Sequence, residues 1–271
     1  MRSAKWNTRL DAERFGPWAV VTGASSGIGL EFARQIATSG INLVLVSRRA
    51  EALQKVGEEL KRHHGVAYRV IEADLSLPGA ELAVTEQTQD LDIGLLISNA
   101  GTGQPGEFLA FEADSIARLT QLNAVSHMML THHFSRRFAK RGRGASLLIS
   151  ALGADSGLPY NANSAAAKGL VNTLVRSLHY ELKLVGVGIT ALVVTPTDTP
   201  IIEKMGLSRS SMPIKPMPVE QCVGEALWGL KRNQMVVMPG RFYRIMNALM
   251  PHSLVRAMTA NMMRQSTTFV S

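Results

Sequence analysis

Short apolar runs rich in β-branched residues alternate along this chain with longer segments in which apolar residues recur every three or four positions. The short runs have the composition of buried β-strands, and the periodic segments have the spacing of amphipathic helices. Seven runs are predicted as strands: Ala19–Thr22, Asn42–Val46, Ala67–Ile71, Ile93–Ile97, Ser146–Ser150, Gly188–Val194 and Met235–Met238. The helices predicted between them include Gly29–Ser39, Glu51–His63, Asp114–Lys140 and Ala165–Leu184.

The alternation of strands and helices predicts how these elements are layered. Strands joined through helices form βαβ units, which build a parallel sheet with helices on both faces. Leu43–Val46 and Leu95–Ile97 are apolar at every position, as expected for strands buried on both faces. We therefore predict an α/β, doubly wound Rossmann fold of about seven parallel strands. One domain over residues 1–271 is expected, with a helical C-terminal appendage at about residues 241–264.

Composition narrows the class of protein. The 271 residues are 46% apolar and 18% charged, which fits one domain with a sizeable core. No run of 18 or more uninterrupted apolar residues is present, so no spanning helix is predicted. The first 15 residues are polar and charged and do not resemble a secretory signal, and Cys222 is the only cysteine. A cytoplasmic protein without internal disulfides is expected.

A glycine-rich turn follows the first predicted strand and opens the first predicted helix. It reads Thr22-Gly23-Ala24-Ser25-Ser26-Gly27-Ile28-Gly29. Such a strand-to-helix turn lets the backbone approach a pyrophosphate and directs the free N–H groups of the helix N-terminus at it. Because a second strand follows at the expected distance, the turn predicts a dinucleotide-binding site rather than an ordinary tight turn.

With this turn the sequence resembles the short-chain dehydrogenase/reductase family, whose glycine motif is TGxxxGxG. The likeness continues over nearly the whole chain, although Val194-Thr195 replaces the Pro-Gly of the family's PGPTDT segment. The resemblance implies that a nicotinamide dinucleotide contacts residues from several loops. They are Gly23, Ser25, Ser26, Gly27, Ile28 and Gly29 of the turn, Asp74, Leu75, Asn99, Ala100, Gly101, Lys168, Thr197 and Thr199.

The end of the second strand predicts which dinucleotide binds. An acidic residue there would accept hydrogen bonds from the ribose 2′-hydroxyl of NAD. This chain has Arg48 and Arg49 instead. A guanidinium suits a phosphate dianion, so NADP(H) is the predicted cofactor. The alternative is that the two arginines only begin a solvated helix.

The sequence departs from the family at its catalytic positions. Family members carry a YxxxK motif and, thirteen residues before its tyrosine, a serine that orients the carbonyl. Lys168 and Asn123 match the family's lysine and helix asparagine, but Ser164 stands at the tyrosine position and Ala151 at the serine position. An aliphatic hydroxyl is far less acidic than a phenol and shorter in reach. Reduction of ketones by the family mechanism should therefore be weak or absent.

Several replacements for the missing donor stay open. Tyr160, four residues before Ser164, either brings its hydroxyl into the vacant space or lines the substrate cleft. Ser150 adjoins Ala151, and Asp155 and Ser156 lie on the loop after that strand. The first functional hypothesis is an NADP(H)-dependent oxidoreductase acting on a hydrophobic carbonyl or alcohol, with Lys168, Asn123, Ser164 and Tyr160 as the candidate catalytic residues. The second is a non-catalytic NADP(H)-binding protein, and the third a non-redox enzyme that reuses Lys168 or Ser164.

Charge and the remaining motifs predict partners. The formal net charge is +8, and no Asp or Glu occurs after Glu225. The basic, methionine-rich helix predicted at about 241–264 packs on its own domain or a sister subunit, contacts an anionic membrane, or binds a partner.

The basic run 136–143 is interpreted as a helix end rather than a nucleic-acid site. The His63-His64 and His132-His133 pairs are interpreted as structural rather than metal-binding. The resemblance implies a homodimer or homotetramer.

Overall fold

A computed structural model describes residues 8–204 and 215–264 of the chain. Seven strands form one parallel sheet in the order β3-β2-β1-β4-β5-β6-β7. From β1 the chain adds strands in one direction as far as β3, and it then returns to pair β4 with the other side of β1. The strand order therefore reverses between β1 and β4. The strands are β1 Trp18–Thr22, β2 Asn42–Ser47, β3 Tyr68–Glu72, β4 Ile93–Ser98, β5 Ala145–Ala151, β6 Gly188–Val194 and β7 Val236–Val237.

Helices connect these strands and cover both faces of the sheet. They are α1 Ala12–Phe15, α2 Gly27–Ala37, α3 Ala50–His64, α4 Ala80–Glu86, α5 Ala113–Thr120, α6 Ser126–Arg141, α7 Ala162–Lys183, α8 Ile201–Lys204, α9 Val219–Lys231, α10 Arg241–Leu249 and α11 His252–Arg264. Apolar residues of α2, α3 and α9 pack on one face. Those of α4, α6 and α7 pack on the other. The predicted doubly wound α/β fold is confirmed.

The predicted strands agree with the observed ones to within about two residues at each end, and the runs of β1, β2, β4, β5 and β6 are almost entirely buried. All six residues of β4 are buried, as the continuous apolar pattern predicted. The segment Asp114–Lys140 was predicted as one helix, and this is wrong in detail. A wide, π-helical turn at Gln121–Val125 separates α5 from α6. Helices α4 and α9 were not singled out from the sequence.

The predicted C-terminal appendage consists of two helices. Helix α10 ends at Leu249 and α11 begins at His252, with Pro251 between them. Proline lacks the N–H that a continuing helix needs, so the break at this position follows from the sequence. Tyr243 of α10 is buried against the core that α9 and β7 also form. The helical pair begins where β7 ends, at the carboxyl edge of the sheet.

Candidate functional site

The glycine turn between β1 and α2 has a backbone that only glycine adopts easily. Gly23 and Gly27 have φ angles of +68° and +56°, in the left-handed region. A Cβ on Gly29 would overlap the Gly23 carbonyl oxygen and lie 2.5 Å from Asn99 Nδ2. The three glycines therefore let α2 begin close against the end of β1. This is the geometry that a pyrophosphate requires at a helix N-terminus, so the residues present fit the group.

Asn99 and Thr22 join the ends of β4 and β1 beside this turn. The N–H groups of Asn99 and Ala100 donate to Thr22 Oγ1 at 2.8 and 2.9 Å. The Asn99 side chain donates to the Thr22 carbonyl at 2.9 Å. The segment Asn99 to Gly101, which the family resemblance implies contacts the dinucleotide, is thus fixed to the strand that precedes the glycine turn. The contact lies where the strand order reverses, which is the usual ligand site of such sheets.

Arg49 lies against the same turn. Its Nη2 is 2.9 Å from Ser25 Oγ and 3.2 Å from Ser26 Oγ, and the residue is exposed. Arg48 is also exposed, with Nη1 3.8 Å from Asp74 Oδ2. An exposed guanidinium between two hydroxyls supplies several donors to one small volume. That donor set is chemically suited to a phosphate dianion, as the sequence predicted for Arg48 and Arg49.

Asp74 and Leu75 follow β3, and the family resemblance implies that they contact the adenine of the dinucleotide. Asp74 Oδ1 accepts hydrogen bonds from the Ser76 N–H at 3.1 Å and the Ser76 hydroxyl at 2.7 Å. Burial opposes ionisation of Asp74, but these bonds and the charge of Arg48 outweigh it and hold its pKa below the usual value. Leu75 is buried. The Asp74 carboxylate is therefore an anchored acceptor at the edge of the site.

The segment after β6, which contains Thr197 and Thr199, approaches the glycine turn. Thr197 donates to the Thr195 carbonyl at 2.7 Å, and Thr199 contacts the Thr197 carbonyl at 3.4 Å. A Cβ on Gly27 would lie 3.6 Å from Thr199, so this segment reaches the glycine turn. The small and apolar residues at 200–218 predict a loop that lines the substrate cleft, but residues 205–214 of it lie outside the described residues.

Lys168 is buried on α7 and directed at β5. Its Nζ donates to the Ile149 carbonyl at 2.9 Å. Burial away from any carboxylate partner among the described residues disfavours the ammonium and lowers the pKa of Lys168 to about 7. An amine with this pKa exchanges a proton near neutral pH, whereas an ordinary lysine stays charged. Lys168 is therefore the group in the site best able to move a proton at physiological pH.

His127 is a buried member of the site that the sequence did not reveal. Its Nδ1 lies 2.8 Å from Ser98 Oγ and its Nε2 lies 3.0 Å from the Ala100 carbonyl oxygen. A carbonyl only accepts, so Nε2 carries the proton and Nδ1 accepts from the Ser98 hydroxyl. Burial, followed by repulsion from Lys168, holds the pKa of His127 well below its usual value. The available signal was its position four residues after Asn123, on the same helix face.

Asn123 holds the loop that follows β4. Its Oδ1 accepts from the Thr102 N–H at 3.0 Å, and its Nδ2 donates to the Thr102 carbonyl at 2.7 Å. A Cβ on Gly101 would lie 2.9 Å from Asn123 Oδ1 and 3.4 Å from Lys168 Nζ. Glycine at this position thus allows both side chains to approach the same point of the backbone. The structure brings Asn123, Lys168 and Gly101 together, as the family resemblance implied.

Ala151 and Ser164, the two positions at which the sequence predicts a departure from the family pattern, lie at the end of β5 and the start of α7. Ala151 is the last residue of β5, and Ser164 is buried in the first turn of α7. Ser164 Oγ accepts a hydrogen bond of 3.3 Å from the Gln104 N–H. Four residues earlier, Tyr160 has a φ of +57° and its carbonyl accepts from the Gly106 N–H at 2.8 Å. The loop after β4 is therefore fastened to the start of α7 at two points.

Two of the substitutes considered from the sequence are engaged elsewhere. The Ser150 hydroxyl donates to the main-chain carbonyl of Lys168 at 3.1 Å. The Asp155 carboxylate accepts from Asn172 at 2.8 Å and from Arg176 at 3.0 Å. Asn172 and Arg176 lie one and two turns further along α7 than Lys168. In this arrangement the Ser150 hydroxyl and the Asp155 carboxylate are therefore both engaged with α7.

Comparison with known proteins identifies the family. Residues 17–209 match the family model described as short chain dehydrogenase. The chain belongs to the short-chain dehydrogenase family. A short-chain dehydrogenase from Sphingobium yanoikuyae, solved in complex with NADPH, superimposes with a TM-score of 0.78 at 31% identity, covering 92% of this chain and 94% of that one. The members of this family are oxidoreductases, and the likeness supports binding of a nicotinamide nucleotide.

Two curated relatives differ in what their names say of activity. The chain is 30% identical over 188 residues to a 7beta-hydroxysteroid dehydrogenase of Mediterraneibacter gnavus, covering 69% of this chain and 72% of the relative. It is also 30% identical over 185 residues to the human "inactive hydroxysteroid dehydrogenase-like protein 1", covering 67% of this chain and 56% of that protein. This short-chain dehydrogenase is thus similar both to a relative named as an enzyme and to one named as inactive.

The described residues contain neither a membrane-spanning helix nor a cluster of metal-ligating side chains. None of the helices in residues 8–204 and 215–264 is long and apolar enough to cross a membrane. Over those same ranges no three His, Cys, Asp or Glu side chains converge in a way that would hold a metal ion.

Proposed function

We propose that this chain is an NADP(H)-dependent oxidoreductase that acts on a hydrophobic carbonyl or alcohol and uses a proton donor other than the family's serine and tyrosine. The observation that carries the cofactor assignment is Arg49, whose guanidinium lies between the Ser25 and Ser26 hydroxyls on the glycine turn. No carboxylate stands at the end of β2 to repel a 2′-phosphate. The 7beta-hydroxysteroid dehydrogenase relative supports a bulky hydrophobic substrate class.

The chain's residues would divide the work of binding. The N–H groups of the turn from Gly23 to Gly29 hold the pyrophosphate, and Arg48 and Arg49 hold the 2′-phosphate. Lys168 and the backbone of Asn99 to Gly101 hold the nicotinamide ribose. When bound, NADPH supplies a hydride to a carbonyl carbon. Asn123 holds the loop in place through its bond to Thr102. Gly101, which has no side chain, leaves room for Lys168.

In this proposal the chain differs from other members of its family in how the substrate oxygen is protonated. Ser164 is too short to replace a phenol, and Ser150 and Asp155 are bonded to α7. Lys168 lies one helical turn after Ser164 on the same face of α7, and its pKa of about 7 allows it to give up a proton at neutral pH. We assign the proton to Lys168, transferred through water in the space that the phenol of other members would fill.

A second candidate function is favoured by a specific contact. The Gln104 N–H donates to Ser164 Oγ and the Gly106 N–H donates to the Tyr160 carbonyl, so the loop after β4 is fastened over the usual donor position. A member closed in this way would bind NADP(H) without reducing a carbonyl. The nucleotide would then be a structural ligand or a redox signal read by a partner. The relative named as inactive is in keeping with this candidate.

One experiment separates the two candidates. The purified chain is incubated with NADPH and a panel of bulky ketones, including oxosteroids, and NADPH oxidation is followed by absorbance. The control is the double variant Ala151→Ser/Ser164→Tyr, which restores the family's hydroxyl pair. Turnover by the natural chain that is lost in Lys168→Met supports the oxidoreductase. Activity that appears only in the double variant supports the non-catalytic protein. Product formed without NADPH oxidation would favour a non-redox enzyme instead.

A further inference from the structure

Helix α10 presents two apolar stripes, and only one of them faces the protein. Tyr243 is 5% exposed, and Tyr243 and Met246 pack against the core beside α9 and β7. Phe242, Ile245 and Leu249 recur at helical spacing on another side of the helix, and they are 56%, 50% and 78% exposed. Leu249 is the most exposed of the three and lies outside the core that Tyr243 helps to form.

Helix α11 continues this exposed apolar surface beyond Pro251. Leu254 and Met258 are four residues apart, on one face of the helix, and are 49% and 54% exposed. We call Phe242, Ile245, Leu249, Leu254 and Met258 the outer stripe. Single exposed apolar residues are ordinary on protein surfaces, but a stripe that runs along two successive helices marks a contact surface.

The charges around the outer stripe indicate the chemistry of its partner. Helices α10 and α11 carry Arg241, Arg244, Arg256 and Arg264, and the sequence after Glu225 has no acidic residue. Arg244 is neutralised by Glu225 at 2.9 Å. Arg241 and Arg256 are exposed and form no salt bridge with the residues that the structure describes. The outer stripe with these arginines beside it is complementary to a surface that has an apolar interior and negatively charged groups on its outside.

We propose that the outer stripe of α10 and α11 binds the surface of an anionic lipid bilayer. Phe242, Ile245 and Leu249 enter the boundary between headgroups and acyl chains, while Arg241 and Arg256 contact the lipid phosphates. The helices lie along the surface, since no helix of the described residues is both long and apolar enough to span it. A second copy of this chain, the other plausible occupant of an apolar stripe, would have to bring the same cations against these cations.

The position of α11 relates this surface to the candidate reaction site. Arg256 Nη1 donates to the Ser156 carbonyl at 3.1 Å, on the loop that follows β5 and Ala151. Helix α10 begins directly after β7, at the carboxyl edge of the sheet where the nucleotide-facing loops also lie. The lipid surface would therefore adjoin the loops through which a hydrophobic ligand approaches. The membrane proposal itself stands on the outer stripe and does not depend on turnover.

Co-sedimentation of the full chain with vesicles tests the proposal. The vesicles are phosphatidylcholine alone, or phosphatidylcholine mixed with phosphatidylglycerol. The stripe variant is Ile245→Ser/Leu249→Ser. The matched control is Leu82→Ser/Leu184→Ser, which removes two leucines that are 57% and 89% exposed, one on α4 and one directly after α7. We expect binding to the mixed vesicles, at least about tenfold weaker in the stripe variant and in high salt, and unchanged in the control.

Three results would overturn the proposal. The first is that the chain does not bind mixed vesicles, and the second is that the stripe variant binds them as well as the control does. The third is that sedimentation velocity shows the stripe variant dissociating an oligomer while the parent chain ignores vesicles, because the occupant is then a second copy. Arg241→Glu should weaken vesicle binding without changing NADPH binding. Equal binding by Arg241→Glu would contradict the role given to the charge.

Discussion

Lys168 Nζ lies 3.5 Å from His127 Nε2, and both side chains are buried behind the backbone of Ala100 and Gly101. Two basic groups at this distance cannot both be charged without a large cost, since no buried carboxylate compensates them within the described residues. Burial, followed by repulsion from Lys168, keeps His127 neutral, although its bond to the Ala100 carbonyl favours the charged form. Lys168 is left with a pKa of about 7, close to the pH at which the protein would work.

The pKa of Lys168 predicts how stability changes above neutral pH. Its folded-state pKa of about 7 is below its unfolded value, so between these values the unfolded chain binds a proton that the folded chain does not. Stability should therefore rise as pH increases from about 7 towards 10, on the order of a few kcal/mol, and Lys168→Met should abolish the rise. Urea unfolding at a series of pH values measures this. A parallel pH dependence in Lys168→Met would refute the assignment.

His127 predicts a separate change at lower pH. Its folded pKa is depressed, so the unfolded chain takes up a proton first as the pH falls below about 6.5. The stability lost in this window should be smaller in His127→Gln, which keeps an amide donor for the Ala100 carbonyl. Urea unfolding at pH 5 to 7 provides the measurement. The idea fails if His127→Gln and the parent lose stability equally over this range.

Arg49 predicts the selectivity for the cofactor. Arg49→Ala should raise the dissociation constant for NADPH by about 10- to 100-fold, because a charge-assisted contact to the 2′-phosphate is lost. The dissociation constant for NADH should hardly change. Fluorescence titration with both nucleotides makes the comparison, and Arg62→Ala, an exposed arginine near the far end of α3, is the matched control. Equal weakening for both nucleotides would mean that Arg49 acts on the glycine turn and not on the phosphate.

Two helical glycines give a matched test of the phosphate turn. A Cβ on Gly29 would overlap the Gly23 carbonyl oxygen, whereas a Cβ on Gly169 in α7 would meet nothing closer than the Ala154 carbonyl at 3.5 Å. Gly29→Ala should lower the melting temperature and abolish NADPH binding. Gly169→Ala should be neutral or stabilise by up to about 1 kcal/mol through helix propensity. Thermal unfolding with and without NADPH compares them, and a tolerated Gly29→Ala would contradict the tight approach of α2.

Ser164 predicts a change in the loop after β4. Ser164→Ala removes the acceptor of the Gln104 N–H, so hydrogen exchange of that amide should become faster. NADPH binding should not change. Hydrogen–deuterium exchange measured on peptides covering residues 101–107 reports the opening. If exchange stays the same, the Ser164 contact does not hold the loop.

The fold could be predicted because burial leaves a clear signature in the sequence. The runs of β1, β2 and β4 are apolar at consecutive positions, which fits only strands covered on both faces. The wide turn at Gln121–Val125 escaped prediction because the apolar spacing hardly changes when one helical turn widens. Helix α9 was not singled out, although its buried residues include Cys222 and Leu227.

The candidate site could be predicted where a motif fixes a residue, and not where a contact depends on the folded backbone. The glycine turn and Lys168 were placed by their motifs, but their binding roles stay predictions. His127 gave only a weak signal, its spacing of four residues from Asn123, because an isolated histidine on an apolar helix face is usually structural. The bond from the Gln104 N–H to Ser164 Oγ was invisible, since a backbone donor has no sequence signature.

Calorimetric titration of the purified chain with NADPH, and with NADH in parallel, tests the central claim most directly. The geometry of the glycine turn and of Arg49 predicts saturable, one-to-one binding of NADPH that is at least about tenfold tighter than binding of NADH. Absence of any heat of binding with NADPH or NADP⁺, at concentrations where the folded state is verified, would contradict the account.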